Sequence, residues 1–157
     1  MSLNYTELLL PRIPQEITDF ILAEGNKRDP STYSVERAPQ DSYTDMYEWF
    51  ALPPEFITWF RANISPNRYF GVQVIKKNLP IHRDYGSNVK FNYLVQAGNP
   101  GVETVFYNDD MVENEAIVLE EHKWYILSVQ ELHNIRGLID GNYRLGITSR
   151  IAKNNRI

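Results

Sequence analysis

Residues 68–95 read RYFGVQVIKKNLPIHRDYGSNVKFNYLV. Two runs rich in β-branched and aromatic residues, Tyr69 to Val74 and Val89 to Val95, flank a short segment closed by Gly86. Beyond them the same texture continues in Thr104 to Tyr107, Ala116 to Leu119, Trp124 to Val129 and Tyr143 to Ile151. Gly98, Asn99-Pro100-Gly101, Asn108-Asp109-Asp110 and Asp140-Gly141 separate these runs. Short strands punctuated by turn residues signal a sandwich or barrel.

Upstream the chain reads as helix and loop. From Pro14 to Glu24, Ile17, Phe20, Ile21 and Leu22 recur near helical spacing, with Gly25 just past the end. Leu52 to Ile64 repeats the pattern, opened by Pro53-Pro54 and striped by Phe56, Ile57, Trp59 and Phe60. Between them, Lys27 to Tyr47 is polar and reads as a surface loop or irregular strand. The expected architecture is mainly β with flanking N-terminal helices packed outside an antiparallel double-sheet barrel. We expect one domain over 1–157, with a helical and loop part over 1–67 and a β core over 68–151.

Composition narrows the chemistry. At 157 residues and 43% hydrophobic, the chain can bury one substantial core. A formal charge of -4 offers no general attraction to nucleic acid or to an anionic membrane. With no cysteine, disulfides, thiolate nucleophiles and cysteine-held metals are excluded, so any metal must be held by nitrogen and oxygen. Met1 to Arg12 is too short and polar for a signal peptide, and no apolar run reaches the roughly 20 residues needed to cross a bilayer. A cytoplasmic location is the default expectation.

Only three histidines exist, His82, His122 and His133. On an extended chain residues two apart share a face, so His82 and Asp84 can address one ion. His133 lies in another β-type segment, Glu131 to Leu138, and can supply a third donor. Two imidazoles and one carboxylate on one side leave the opposite positions open, which suits an Fe(II) that binds a cosubstrate and dioxygen together.

Asp140-Gly141 is a strong hairpin signal. Read as a hairpin, it sets His133 opposite Thr148, so that Thr148, Gly146 and Arg144 share its face. Arg144 then lies four residues, roughly 13 Å, from the level of His133, which suits a five-carbon dicarboxylate stretched from an ion to a guanidinium. Arginine's planar fork pairs a buried carboxylate with two parallel hydrogen bonds. Arg136 lacks the parity, and Arg150 lies in the opposite direction from His133.

His82-Arg83-Asp84, distant His133 and then Arg144, set in a series of β-runs, resemble the 2-oxoglutarate and Fe(II)-dependent oxygenases. The likeness covers roughly Tyr69 to Ile151. Within that superfamily it is similar to compact phage and marine microbial members related to prolyl 4-hydroxylases and aspartyl/asparaginyl β-hydroxylases. The resemblance implies a double-stranded β-helix (a jelly-roll, cupin-like barrel), with His82, Asp84 and His133 as catalytic metal ligands. Arg144 would bind 2-oxoglutarate, and Lys90 and Asn92 would lie near its inner carboxylate unless they form a solvated strand face. It implies a hydroxylase that converts 2-oxoglutarate and dioxygen to succinate and carbon dioxide while oxidising a C–H bond of a peptidyl or small-molecule substrate. Thr148 and Arg150 are further candidates for the pocket wall.

Two other readings compete: a cupin-type enzyme using the same ligands for non-oxidative chemistry, and a non-catalytic jelly-roll binding module. Elsewhere the expectations are structural. Tyr43, Tyr47, Trp49 and Phe50 read as core, with a substrate lid as the alternative. Asn108 to Glu115 reads as a solvated hairpin end, Lys76 and Lys77 as a strand end, and His122 as an exposed turn residue.

Overall fold

The computed structural model describes residues 4–28, 42–84 and 88–151, side chains of 42, 43 and 151 excepted. The elements are β1 (Tyr5–Leu8), α1 (Gln15–Asn26), β2 (Ser42–Tyr43), β3 (Tyr47–Ala51), α2 (Pro54–Asn63), β4 (Arg68–Ile75), β5 (Leu79–His82), β6 (Lys90–Gln96), β7 (Glu103–Tyr107), β8 (Glu113–Ile117), β9 (Trp124–Leu127), β10 (Leu132–Arg136) and β11 (Arg144–Ile151). They build a seven-stranded sheet, β1-β9-β6-β11-β4-β3-β2, and a four-stranded sheet, β5-β10-β7-β8. This pair of antiparallel sheets is the expected jelly-roll. No helix among the described residues is long and apolar enough to cross a membrane.

Period-two alternation along β11 divides the molecule into layers. Leu145 and Ile147 point outward into a cluster with Ile17 and Ile21 of α1, Phe60 of α2, and Phe70, Val72, Tyr93 and Trp124 of the sheet. Arg144, Gly146 and Thr148 point the other way, into a cavity between the sheets. The space between the sheets is otherwise filled by two apolar clusters. One contains Leu94, Phe106, Tyr125 and Leu127, the other Ile75, Leu79, Ile135 and Leu138.

The helices form as their apolar spacing predicts, and they cover the outer face of the large sheet. Phe60 is fully buried and stacks on Phe70 with ring centroids 5.1 Å apart. Gly25 is not the residue beyond the end of α1 but lies within it. A Cβ there would come within 2.7 Å of the Leu145 side chain, so the glycine permits close approach of helix and sheet.

Other differences from the sequence expectations have physical reasons. The stretch read as helix and loop also supplies β1, β2 and β3, which extend the large sheet on both edges. Their pairing is long-range, with β1 on β9 and β3 on β4, and leaves little local signature. The proposed strand Ala116 to Leu119 is displaced to Glu113–Ile117, because the turn at Asn108, where the Asn108 N–H donates to the Val112 carbonyl, sets the register. Gly86 and residues 29–41 lie outside the described residues.

The Asp140-Gly141 hairpin is overturned. Asn142 N–H does donate to the Ile139 carbonyl at 3.0 Å, closing a turn. Only Gly141 has positive φ (+90°), whereas the strand-joining type I′ turn needs it at both central residues. The chain instead crosses between sheets, so that β10 pairs with β5 and β7, and β11 with β4 and β6. His133 is therefore not the partner of Thr148.

Trp49 and Phe50 are buried, as expected of core. Tyr47 packs against the Ile75–Leu79 cluster, while the side chain of Tyr43 lies outside the described residues. Lys76, expected only to mark a strand end, is itself buried 3.7 Å from Glu48. His122 is half-buried rather than exposed, with Nδ1 3.4 Å from the Tyr93 hydroxyl.

Candidate active site

The true neighbour of β10 carries the other histidine. His133 and His82 are direct cross-strand partners between β10 and β5, and their ring centroids lie 4.4 Å apart. β5 is an edge strand, so Pro80, which has no N–H, interrupts no ladder on its free side. Between the pairs Ile135↔Leu79 and His133↔His82, β5 holds one residue more than β10. Such a bulge bends the strand and re-aims the side chains after it.

Each imidazole is oriented by a carbonyl two residues upstream. Nδ1 of His82 lies 2.7 Å from the Pro80 carbonyl, and Nδ1 of His133 lies 2.7 Å from the Glu131 carbonyl. A ring that donates from Nδ1 presents a lone pair at Nε2, the arrangement that metal-binding histidines use. Asp84 completes the group, with Oδ1 3.3 Å from Nε2 of His82 and 3.8 Å from Nε2 of His133. The donor atoms of His82, Asp84 and His133 all lie within 4.8 Å of one another. Two nitrogens and one oxygen so disposed fit a divalent first-row ion with open positions opposite.

The environment tunes the three groups differently. A hydrogen bond with the Asp84 carboxylate raises the His82 pKa, against the opposing effect of burial. Burial dominates at His133 and lowers its pKa, favouring the neutral imidazole a metal needs. Burial by itself would raise Asp84, but the hydrogen bond with His82 and the Lys90 ammonium outweigh it and hold the carboxyl well below its usual range.

The cavity reaching inward from this group has a volume of about 80 Å³. At the level of the metal-type cluster its large-sheet wall carries Lys90 and Asn92 of β6, and Asn92 lies beside Thr148 of β11. Arg144 lies four residues along β11 from Thr148, roughly 13 Å. The guanidinium is buried, with 2% exposure. Nη2 donates a long hydrogen bond of 3.4 Å to the Thr104 hydroxyl, and Nη1 has no partner. Burial alone pulls the Arg144 pKa down to about 10, a penalty on the order of 3 kcal/mol for a group still charged at neutral pH. Asn92 Oδ1 is likewise buried without a partner. Orphaned buried polar atoms on one cavity wall are what a site built for a polar ligand presents.

Of the sequence candidates, His82, Asp84, His133, Arg144, Lys90, Asn92 and Thr148 line one cavity, and Arg150 does not. Arg144 arrives there from the opposite sheet, facing the histidines across the cavity rather than beside them. Lys90 hydrogen-bonds Asp84 at 2.8 Å. Arg136 points outward and pairs with Glu103 and Glu113. Arg150 stacks over Trp49, 3.8 Å from the ring centroid. Sequence reading missed Thr104, whose hydroxyl meets Arg144 only through tertiary packing, and the two orienting carbonyls, which carry no side-chain signal.

No protein-family model and no curated protein matches the chain. Solved structures share its fold. An oxidoreductase of the 2OG-Fe(II) oxygenase family from Burkholderia pseudomallei superposes with a TM-score of 0.53 at 13% identity, over 94% of this chain and 84% of that one. A Pseudomonas putida prolyl-4-hydroxylase gives 0.53 at 14% identity, over 96% and 93%. AviO1 from Streptomyces viridochromogenes gives 0.57 at 10% identity, over 98% and 91%. The chain has the fold of the 2OG-Fe(II) oxygenases.

Proposed function

We propose that the protein is a 2-oxoglutarate- and Fe(II)-dependent oxygenase in which His82, Asp84 and His133 hold the metal and Arg144 binds the distal carboxylate of 2-oxoglutarate. One observation carries this reading: a three-donor cluster and a buried arginine with an unpartnered Nη1 share one cavity between the sheets. Charge supports it as well. Asp84 and Lys90 neutralise each other, leaving Arg144 as an uncompensated interior cation among the described lining residues, which a carboxylate of the cosubstrate would offset.

The residues divide the work. The Nε2 atoms of His82 and His133 and Oδ1 of Asp84 hold the ion. The carbonyls of Pro80 and Glu131 fix the ring orientations. Arg144, with the Thr104 hydroxyl on its Nη2, would fix the direction in which the cosubstrate lies. The apolar clusters around Leu94, Phe106 and Leu127 and around Ile75, Leu79 and Ile135 exclude water from the inner end. When bound, Fe(II) and 2-oxoglutarate supply the oxidising chemistry, turning cosubstrate, dioxygen and a C–H substrate into succinate, carbon dioxide and the hydroxylated product. The substrate of this reading is a peptidyl residue or a small molecule.

Anaerobic titration of Fe(II)-loaded protein with 2-oxoglutarate tests the proposal through the visible metal-to-keto-acid charge-transfer band. The band is expected in wild type and lost in Arg144→Met. Folded, iron-loaded wild type that shows no band removes the oxygenase reading and leaves a non-oxidative cupin-type site.

A further inference from the structure

The two oxygens of Asp84 have different neighbours. Oδ1 faces the Nε2 atoms of His82 and His133. Oδ2 accepts a hydrogen bond from the Lys90 ammonium at 2.8 Å. The backbone of Asp84 is also held, its N–H donating to the Val129 carbonyl at 2.9 Å. Arg83, just before it, donates to the Gln130 carbonyl and pairs with Asp109. Lys90 opens β6 and sits opposite Leu127 of β9. A lysine rooted in the large sheet thus grips an aspartate that stands beyond the end of an edge strand of the small one.

Resting on the proposed metal site, we infer that Lys90 is a positioning residue that keeps Asp84 a one-oxygen ligand. Three single-atom donors would leave a divalent first-row ion more open positions for a cosubstrate than a ligand set with a chelating carboxylate. A carboxylate chelating through both oxygens would remove one of these positions. The charge-assisted bond to Oδ2 opposes that swing, and charge-assisted bonds are the strong class. The device has a cost, because an ammonium beside the site repels the cation it helps to arrange. Loss of Lys90 therefore tightens metal binding while weakening cosubstrate binding, and a lysine with a merely structural role would not produce these opposite signs.

The test compares wild type, Lys90→Met, which keeps the chain length without charge or donor, and Lys90→Arg, which keeps both. Mn(II) binding is followed by the paramagnetic resonance signal of the free ion. 2-Oxoglutarate binding to the Mn(II)-loaded protein is followed by calorimetry, and crystals of Mn(II)-loaded wild type give the coordination directly. Lys90→Met is expected to bind Mn(II) roughly tenfold more tightly and 2-oxoglutarate roughly tenfold more weakly. Lys90→Arg should stay within about threefold of wild type on both measures, since it retains charge and donor. In the wild-type crystal one oxygen of Asp84 is on the ion and Oδ2 remains on Lys90. Chelation of the ion by both oxygens overturns the inference, as does a Lys90→Met protein indistinguishable from wild type in both titrations. If Lys90→Met does not fold, the wild-type crystal decides alone. Wild type that binds no Mn(II) fails earlier, removing the metal-site reading and this inference with it, whereas wild type that binds both ligands while Lys90→Met changes nothing removes the inference only.

Discussion

The large sheet has two faces that obey opposite rules. Its outer face is apolar and closed, with Leu145, Ile147, Phe70, Val72 and Trp124 packed beneath α1 and α2. Its inner face, built by the alternate residues of the same strands, carries Lys90, Asn92, Arg144 and Thr148 into a cavity. The outer face gains hydrophobic stabilisation at about 25 cal/mol per Å² of buried apolar surface, and nothing in it needs a ligand. The inner face keeps an orphaned guanidinium nitrogen and an orphaned amide oxygen, both unfavourable in the free protein. One strand such as β11 therefore supports stability on one side and spends some of it on the other. That is the expected signature of a site whose polar groups are completed by what binds there.

Substitutions on the two faces should separate cleanly, beginning with the largest effect. Removing a donor by His133→Ala is expected to weaken Fe(II) or Mn(II) binding by more than the roughly 10–100-fold that changes outside the ligand set cause, measured by equilibrium dialysis. On the outer face, Phe60→Ala should cost roughly 3–5 kcal/mol in urea unfolding, because it empties the stack on Phe70 beside Trp124. The Mn(II) stoichiometry of the folded Phe60→Ala fraction should stay at the wild-type value, and its loss would show that the two faces are coupled.

Arg144→Met sharpens the contrast, since it should stabilise the apo protein by up to about 3 kcal/mol while abolishing 2-oxoglutarate binding. The folded Arg144 pKa of about 10 lies below the ordinary value, so both folded and unfolded chains carry the charge at lower pH and the burial penalty is constant there. The gain of the variant should be flat across neutral pH and shrink as pH rises through about 10, where native Arg144 sheds its proton and the wild type recovers. A gain that falls with acidification instead would assign the penalty to another group. The smallest effect is expected at Thr104→Val, which removes the long hydrogen bond to Nη2 and should weaken 2-oxoglutarate binding by about 1 kcal/mol, read by calorimetry.

The legible parts of this protein were those written in local spacing. Two helices follow from apolar residues at helical intervals, and most strands from β-branched runs between turn residues. His82 and Asp84 are tied by period two within one extended segment. Strands β1 and β3 were not legible, because each becomes a strand by pairing with distant partners. The path to Arg144 is instructive. The expected hairpin gave it the right neighbourhood through the wrong connection, since type I′ turn geometry would have put β10 and β11 in one sheet, and the single positive φ at Gly141 does not.

The sequence by itself determined which side chains had the chemistry to serve: two imidazoles and a carboxylate able to hold a metal without cysteine, and an arginine at the parity that faces inward on β11. Donor chemistry and strand alternation are local properties, fixed by residue identity and by the pleat. Only the tertiary structure decided that His82 and His133 face one another across β5 and β10, that Arg144 reaches them from the opposing sheet, and that Lys90 closes on Asp84. Those meetings depend on which strands pair and which sheets stack, and such choices are settled by burial summed over the whole chain rather than by any one segment.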